Sequence, residues 1–185
     1  MSRTPDRADE LLAAWRAELP DVLGPSTELT KRVLLLAARL DAATRAELPA
    51  LGLTVAAFDI LVTLRRAGAP YRLRGTELTS ALMLSSGGTS NVINRLEADG
   101  LVRREPDPDD GRSTLIRLTP EGVTLAERAI RANTAAHDAV FAELPAEVID
   151  AATRALRAIP ATPGATAAPS RPAAARSRRR GTAGG

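Results

Sequence analysis

TELTSALMLSSGGTSNVINRLEADGLVRREPDPDDGRSTLIRLTPEG, residues Thr76 to Gly122, is the stretch that decides the fold. Thr76 to Leu82 reads as a short helix and Ser85 to Ala98 as a second, closed by Gly100. Two helices separated by two or three residues make a helix-turn-helix. Directly behind them LVRRE (Leu101 to Glu105) and STLIRLT (Ser113 to Thr119) have strand character, and the turn-rich PDPDDGR from Pro106 to Arg112 joins them into a β-hairpin, or wing. Thr119-Pro120-Glu121 then supplies an N-cap, a proline at the first helical position and an early acid, so a long helix is expected from there to about Leu144.

That order of elements points to DNA. A second helix enters the major groove when its exposed face carries small polar or basic residues that can approach base edges. At helical spacing Val92, Ile93 and Leu96 turn inward with Thr89, which leaves Ser86, Gly87, Gly88, Ser90, Asn91, Asn94 and Arg95 outside. The small residues permit close approach, the two asparagines can donate and accept on a base edge, and Arg95 suits a guanine or a phosphate. The helix start, with Ser85 and Ser86, suits a phosphate. Arg103, Arg104, Arg112 and Arg117 gather on the wing, with Arg112 at a tip that can reach the adjacent minor groove. Asp107, Asp109 and Asp110 are expected to shape the turn and to orient Arg112 by charge-assisted hydrogen bonds.

Working outward, Ala8 to Leu19 places Leu11, Leu12, Trp15 and Leu19 on one face of a short helix that Pro20 ends, so residues 1–25 read as an N-terminal extension. Ser26 or Thr27 can cap the next helix, which runs to Leu48, and Thr54 opens a third that closes at Gly68. Pro145 to Ile159 continues as a final helix, and residues 160–185 have the Pro, Ala, Gly, Ser and Arg composition of a disordered tail. The fold class is mainly α with a small β-hairpin wing.

Composition narrows the chemistry. The chain has 185 residues and is 44% hydrophobic, enough for one core plus tails. With no cysteine there is no disulfide or thiol sensor, and one histidine, His137 in an Ala-rich helix, leaves a metal centre or a Ser/His/Asp triad little to draw on. No catalytic group, metal or cofactor is therefore expected. The polar start MSRTPDRADE and the lack of any long apolar run predict a cytoplasmic protein with no membrane contact. Five of the 25 basic residues lie after Ile159 and none of the 22 acidic ones does, leaving 20 against 22 in the folded part. The basic pI thus belongs to the tail, and the case for DNA rests on local placement.

Thr76 to Gly122 resembles the central winged-helix segment of MarR-type (multiple antibiotic resistance) regulators, most specifically in NRLEADGLV, the DPxDxR wing and LTPEG; the likeness extends more weakly over residues 26–159. It implies a homodimer with interleaved N- and C-terminal dimerisation helices on a pseudo-palindromic operator of double-stranded DNA. It also implies a small, often aromatic effector in a cleft between those helices and the DNA-binding lobe, whose binding releases the DNA. Asp109 and Gly111 stand where many members have wing arginines, so Arg112 must do more. The urate-responsive branch is similar in Trp15, Asp59 and Ser86 through Asn91, but Val92 occupies the place of the arginine that meets its anionic ligand. That departure points to a less acidic or more apolar effector. Trp15 and Asp59 are the candidate ligand contacts; the alternatives are an anchor on the dimer core for Trp15 and a helix-to-helix salt bridge for Asp59. The competing function is an architectural protein that coats DNA without sequence preference through the arginine-rich tail.

Overall fold

In the computed structural model, residues 5–82 and 86–159 are described; the tail from residue 160 and the expected helix start at Ser85 lie outside them. The elements follow the chain as α1 (Arg7–Glu18), α2 (Pro25–Glu47), α3 (Val55–Arg66), β1 (Arg72–Arg74), α4 (Gly75–Leu82), α5 (Ser86–Ala98), β2 (Val102–Pro106), β3 (Thr114–Leu118), α6 (Pro120–Phe141) and α7 (Ala146–Arg157). The chain divides into two units, residues 1–143 and 144–185.

Helix α3 forms the middle of the first unit. Thr54 caps it by accepting the Ala57 N–H, and its apolar residues are spaced so that Ile60, Leu61 and Leu64 have no solvent exposure. It packs against α4, α5, α6 and β3, whose Leu78, Ile93, Leu96, Ile116, Leu118, Ala126 and Ala129 complete the core. The helix-turn-helix and the wing are thus seated on one apolar surface.

The sheet has a strand that the sequence reading does not anticipate. β1 pairs antiparallel with β3, in the order β1-β3-β2, with Leu73 opposite Ile116. Three residues are too few to show a period of two, yet Leu73 packs on the core between two arginines. The hairpin register is as the turn implies, with Val102 opposite Leu118 and Pro106 opposite Thr114.

Two local expectations change. Helix α2 starts at Pro25 with Gly24 in the cap position, not at a Ser26 or Thr27 cap, because the fixed φ of proline suits the first helical position and so starts the helix earlier. Of the four apolar residues assigned to one face of α1, Leu12 is buried with Ala8, whereas Trp15 and Leu19 remain 47% exposed. Beside the buried Ala8 and Leu12, Arg32 of α2 ties down the start of α1, reaching Asp6 at 2.8 Å and Asp9 at 2.6 Å, the two acids that also form its capping box.

In the second unit α7 carries Val148, Ile149 and Leu156, with Ile159 just beyond its end, all exposed. Among the described residues no single helix is long and apolar enough to cross a membrane.

The start of α6 is locked to the end of α5. The Thr119 N–H donates to the Leu101 carbonyl at 3.1 Å, its hydroxyl donates to Gly100 O at 2.7 Å and accepts the Gly122 N–H at 3.0 Å. Gly122 lies so close that an added Cβ would fall on the Leu101 carbonyl oxygen, 2.9 Å from its carbon. Alanine is worth about 1 kcal/mol over glycine inside a helix, but a backbone clash of this kind costs more. Gly122→Ala is therefore expected to destabilise the protein by about 2 kcal/mol or more. A denaturant titration checks this, and a variant at or above wild-type stability would refute the contact.

Candidate nucleic-acid interface

Helix α5 is set by its buried side. Thr89, Ile93 and Leu96 are at most 3% exposed and Val92 is half-buried, so the inward assignment of these four holds. Gly88, Ser90, Asn91, Asn94 and Arg95 are exposed, and Ser86 opens the helix. The exposed residues do not have equal freedom. Among the described residues neither Asn91 nor Arg95 has a side-chain hydrogen bond or ion pair, while Asn94 Oδ1 accepts from Arg104 Nη2 at 2.7 Å. Arg104 also pairs with Glu97, and its backbone N–H donates to Glu97 Oε1 at 3.1 Å.

The wing is more neutral than its arginines suggest. Glu105, 21% exposed, draws in Arg103 at 2.6 Å, Arg117 at 3.3 Å and Arg72 at 3.9 Å. Arg103, expected at the DNA, is therefore partly committed within the ribbon. Arg112 is exposed at the tip and, among the described residues of the wing, is the arginine without an acidic partner.

The acids do not orient Arg112 as expected. Asp107, whose side chain is 2% exposed, pairs with Arg74 Nε of β1 at 2.5 Å and accepts the Asp109 N–H at 3.0 Å. Asp110 accepts only the backbone N–H of Arg112, at 3.1 Å. A buried carboxylate needs a partner close by, and β1, the unforeseen strand, provides it. Arg74 is thus a residue that the sequence reading missed; the only signal for it was an arginine at the mouth of the helix-turn-helix.

The candidate ligand residues are not brought together. Trp15 is exposed on α1; Asp59, on α3, is half-buried and among the described residues has no ion pair, Arg45 pairing with Asp41 at 2.7 Å instead. Burial raises the Asp59 carboxyl above the usual range, with Arg45 opposing and Asp41 reinforcing the shift. A cavity of about 240 Å³ does adjoin α5, walled by Leu51, Leu53, Thr54, Ala57, Leu101 and Leu125 and by Asn91, Val92, Arg95 and Asp99. Neither Trp15 nor Asp59 is among its lining residues. His137 lies between α2 and α6, its Nε2 at 2.9 Å from the Thr44 hydroxyl, which donates to Asn133 Oδ1. Among the described residues no group of acids and histidines is arranged to hold a metal ion.

A helix pair followed by a two-stranded wing, with a small-residue helix face and an arginine tip, defines a winged helix-turn-helix protein. The MarR family profile matches residues 51–113. The HTH-type transcriptional regulator PecS of Dickeya dadantii is 36% identical over 124 residues, which cover 65% of this chain and 73% of PecS. The multiple antibiotic resistance protein MarR of Salmonella typhimurium is 32% identical over 78 residues, 42% of this chain and 52% of that protein. Among solved structures, AbsC of Streptomyces coelicolor, a MarR family transcriptional regulator, superposes with a TM-score of 0.59 at 26% identity, over 85% of this chain and 95% of AbsC. The C80S mutant of MarR from E. coli complexed with operator DNA shares the fold, with a TM-score of 0.60 at 23% identity over 79% of this chain and 98% of that one. This chain belongs to the MarR family of winged-helix transcriptional regulators.

Arg74 and the Asp109 backbone hold the Asp107 carboxyl below the usual carboxylate range. With the folded value depressed, the stabilisation is complete above the unfolded value of about 4 and is lost as pH falls through the folded one. Asp107→Asn is expected to melt below wild type at pH 7, with the gap closing as the pH is brought below about 4. A gap independent of pH would show that the ion pair is not its source.

Proposed function

We propose that the protein is a homodimeric, site-specific repressor, acting in the cytoplasm, that leaves a pseudo-palindromic operator when a small effector binds. The observation that carries the reading is the pairing of an α5 face with free Asn91 and Arg95 and a wing whose charge is neutralised except at Arg112. α5 enters the major groove with Ser86, Gly88, Ser90, Asn91, Asn94 and Arg95, and Arg112 reaches the flanking minor groove with support from Arg103. Residues 26–159 are the working domain; residues 1–25 are an extension, and the tail adds affinity without sequence preference.

Dimerisation is supported by the apolar surface left on the single chain. Leu29, Val33 and Leu34 of α2 are 42 to 58% exposed, as is Trp15 of α1, and α7 carries its own stripe. Two helix faces of this kind are what a second copy covers.

The cavity beside α5 suits the effector. At about 240 Å³ it has room for one aromatic ring, and Val92 in its wall is apolar where the urate-responsive branch has an arginine. An occupant there would meet Asn91 and Arg95, the same side chains that face DNA. Trp15 and Asp59, the contacts expected from the sequence, stand outside that cavity and are not part of this placement of the effector.

The test is a gel shift with the DNA upstream of the protein's own gene and excess random competitor. A discrete, competitor-resistant shift is expected. Arg112→Ala should weaken binding to operator and random DNA alike, whereas Asn91→Ala should reduce discrimination at particular base pairs, each by about 1–3 kcal/mol. Equal losses on both DNAs from Asn91→Ala would remove α5 from the groove, and smearing lost on deleting residues 160–185 would replace the repressor by a tail-driven architectural protein.

A further inference from the structure

We infer that Arg104, on the wing, biases the base preference of the recognition helix without touching a base, by occupying one of the two acceptor sites of the Asn94 carbonyl oxygen, fixing the flip of that side chain and turning it toward donating. The inference rests on the assignment of α5 to the major groove. A guanidinium has five N–H donors and no acceptor, so the amide atom 2.7 Å from Arg104 Nη2 has to be the oxygen. That fixes the flip of the Asn94 side chain.

Arg104 is itself held. Glu97, one turn beyond Asn94 on the same helix, pairs with its guanidinium and also accepts its backbone N–H. The β2 strand that carries Arg104 is registered against β3, with Arg104 opposite Ile116, so the arginine is anchored at its backbone and its head. A charge-assisted bond from such a donor is roughly twice as strong as the neutral bond that Asn94 Oδ1 would make to an adenine amino group. The oxygen keeps the arginine, and sharing it with a cation makes its second lone pair the poorer acceptor.

The consequence is a difference between two identical side chains one turn apart. Asn91 has both its amide atoms free and can make the paired donor and acceptor contact with adenine N7 and N6. Asn94 keeps both Nδ2 hydrogens, which match the acceptors N7 and O6 of guanine or O4 of thymine, but has one acceptor site left, weakened by the cation on the same oxygen, for adenine's amino group. Arg104 is a positioning residue, and the wing sets part of the sequence preference from outside the groove.

The experiment selects bound sites from a pool of randomised pseudo-palindromes with the full-length protein, its Asn94→Ala variant and its Arg104→Met variant. The base pair whose preference is flattened by Asn94→Ala is the one Asn94 reads. Wild type is expected to favour guanine or thymine there, and Arg104→Met to move the preference toward adenine by about tenfold, with the pair read by Asn91 unchanged. A preference for adenine there in wild type, or a loss in Arg104→Met that is uniform over all positions, would overturn the inference while leaving the groove assignment standing. No preference at any position in wild type would overturn the groove assignment itself. Methionine keeps the aliphatic stem of the arginine; should that variant melt below the assay temperature, Glu97→Gln, which loosens the arginine's anchor, carries the same comparison in the same direction.

Discussion

Burial of α3 is the constraint on which the rest of the structure depends. Ile60, Leu61 and Leu64 are fully enclosed, and the residues that enclose them come from both helices of the helix-turn-helix, from the sheet and from α6. An apolar helix face enclosed by four neighbouring elements fixes their arrangement, because shifting any of them opens a void that close-packed interiors do not tolerate. The orientation of α5 follows from this: Thr89, Ile93 and Leu96 must face α3, and the polar residues between them are turned outward by the pitch of the helix alone.

Charge works differently in this molecule. The folded part is close to neutral overall, and its wing and β1 arginines other than Arg112, with Arg32 of α2, pair with acids of the same chain: Arg32 with three carboxylates, Arg72, Arg103 and Arg117 with Glu105, Arg74 with Asp107, Arg104 with Glu97. Apart from the pair of the buried Asp107, these are largely exposed and add little stability individually. Their effect is to place geometry and to subtract background, so that an unpaired arginine such as Arg112 stands out against a quiet surface.

How much of this was legible depended on range. The helix pair, the hairpin and the α6 entry at Thr119-Pro120 could be read because their signals are local: periodicity, turn residues and caps within a few positions of one another. The outward face of α5 was legible for the same reason, since Thr89, Ile93 and Leu96 mark the opposite, buried one. What escaped were pairings across the chain. β1 is three residues long and exists only because β3 lies beside it, and the Arg74–Asp107 and Arg104–Asn94 contacts span 33 and 10 positions. The exposure of Trp15 escaped too, because an amphipathic pattern identifies the apolar face of a helix without identifying the molecule that covers it.

The joint between Leu101 and Gly122 has a mechanical meaning. With three hydrogen bonds through Thr119 and no space for even a methyl group, it has no slack, so the reading head and the 22-residue α6 turn as one body. A helix of that length is a lever of about 33 Å. A tilt of about 5° at one end displaces the other by about 3 Å, close to the rise of one base pair. In a two-fold assembly built on such levers, the distance between reading heads behaves like the gap of a caliper: small adjustments where the arms are joined decide whether both jaws meet successive grooves at once.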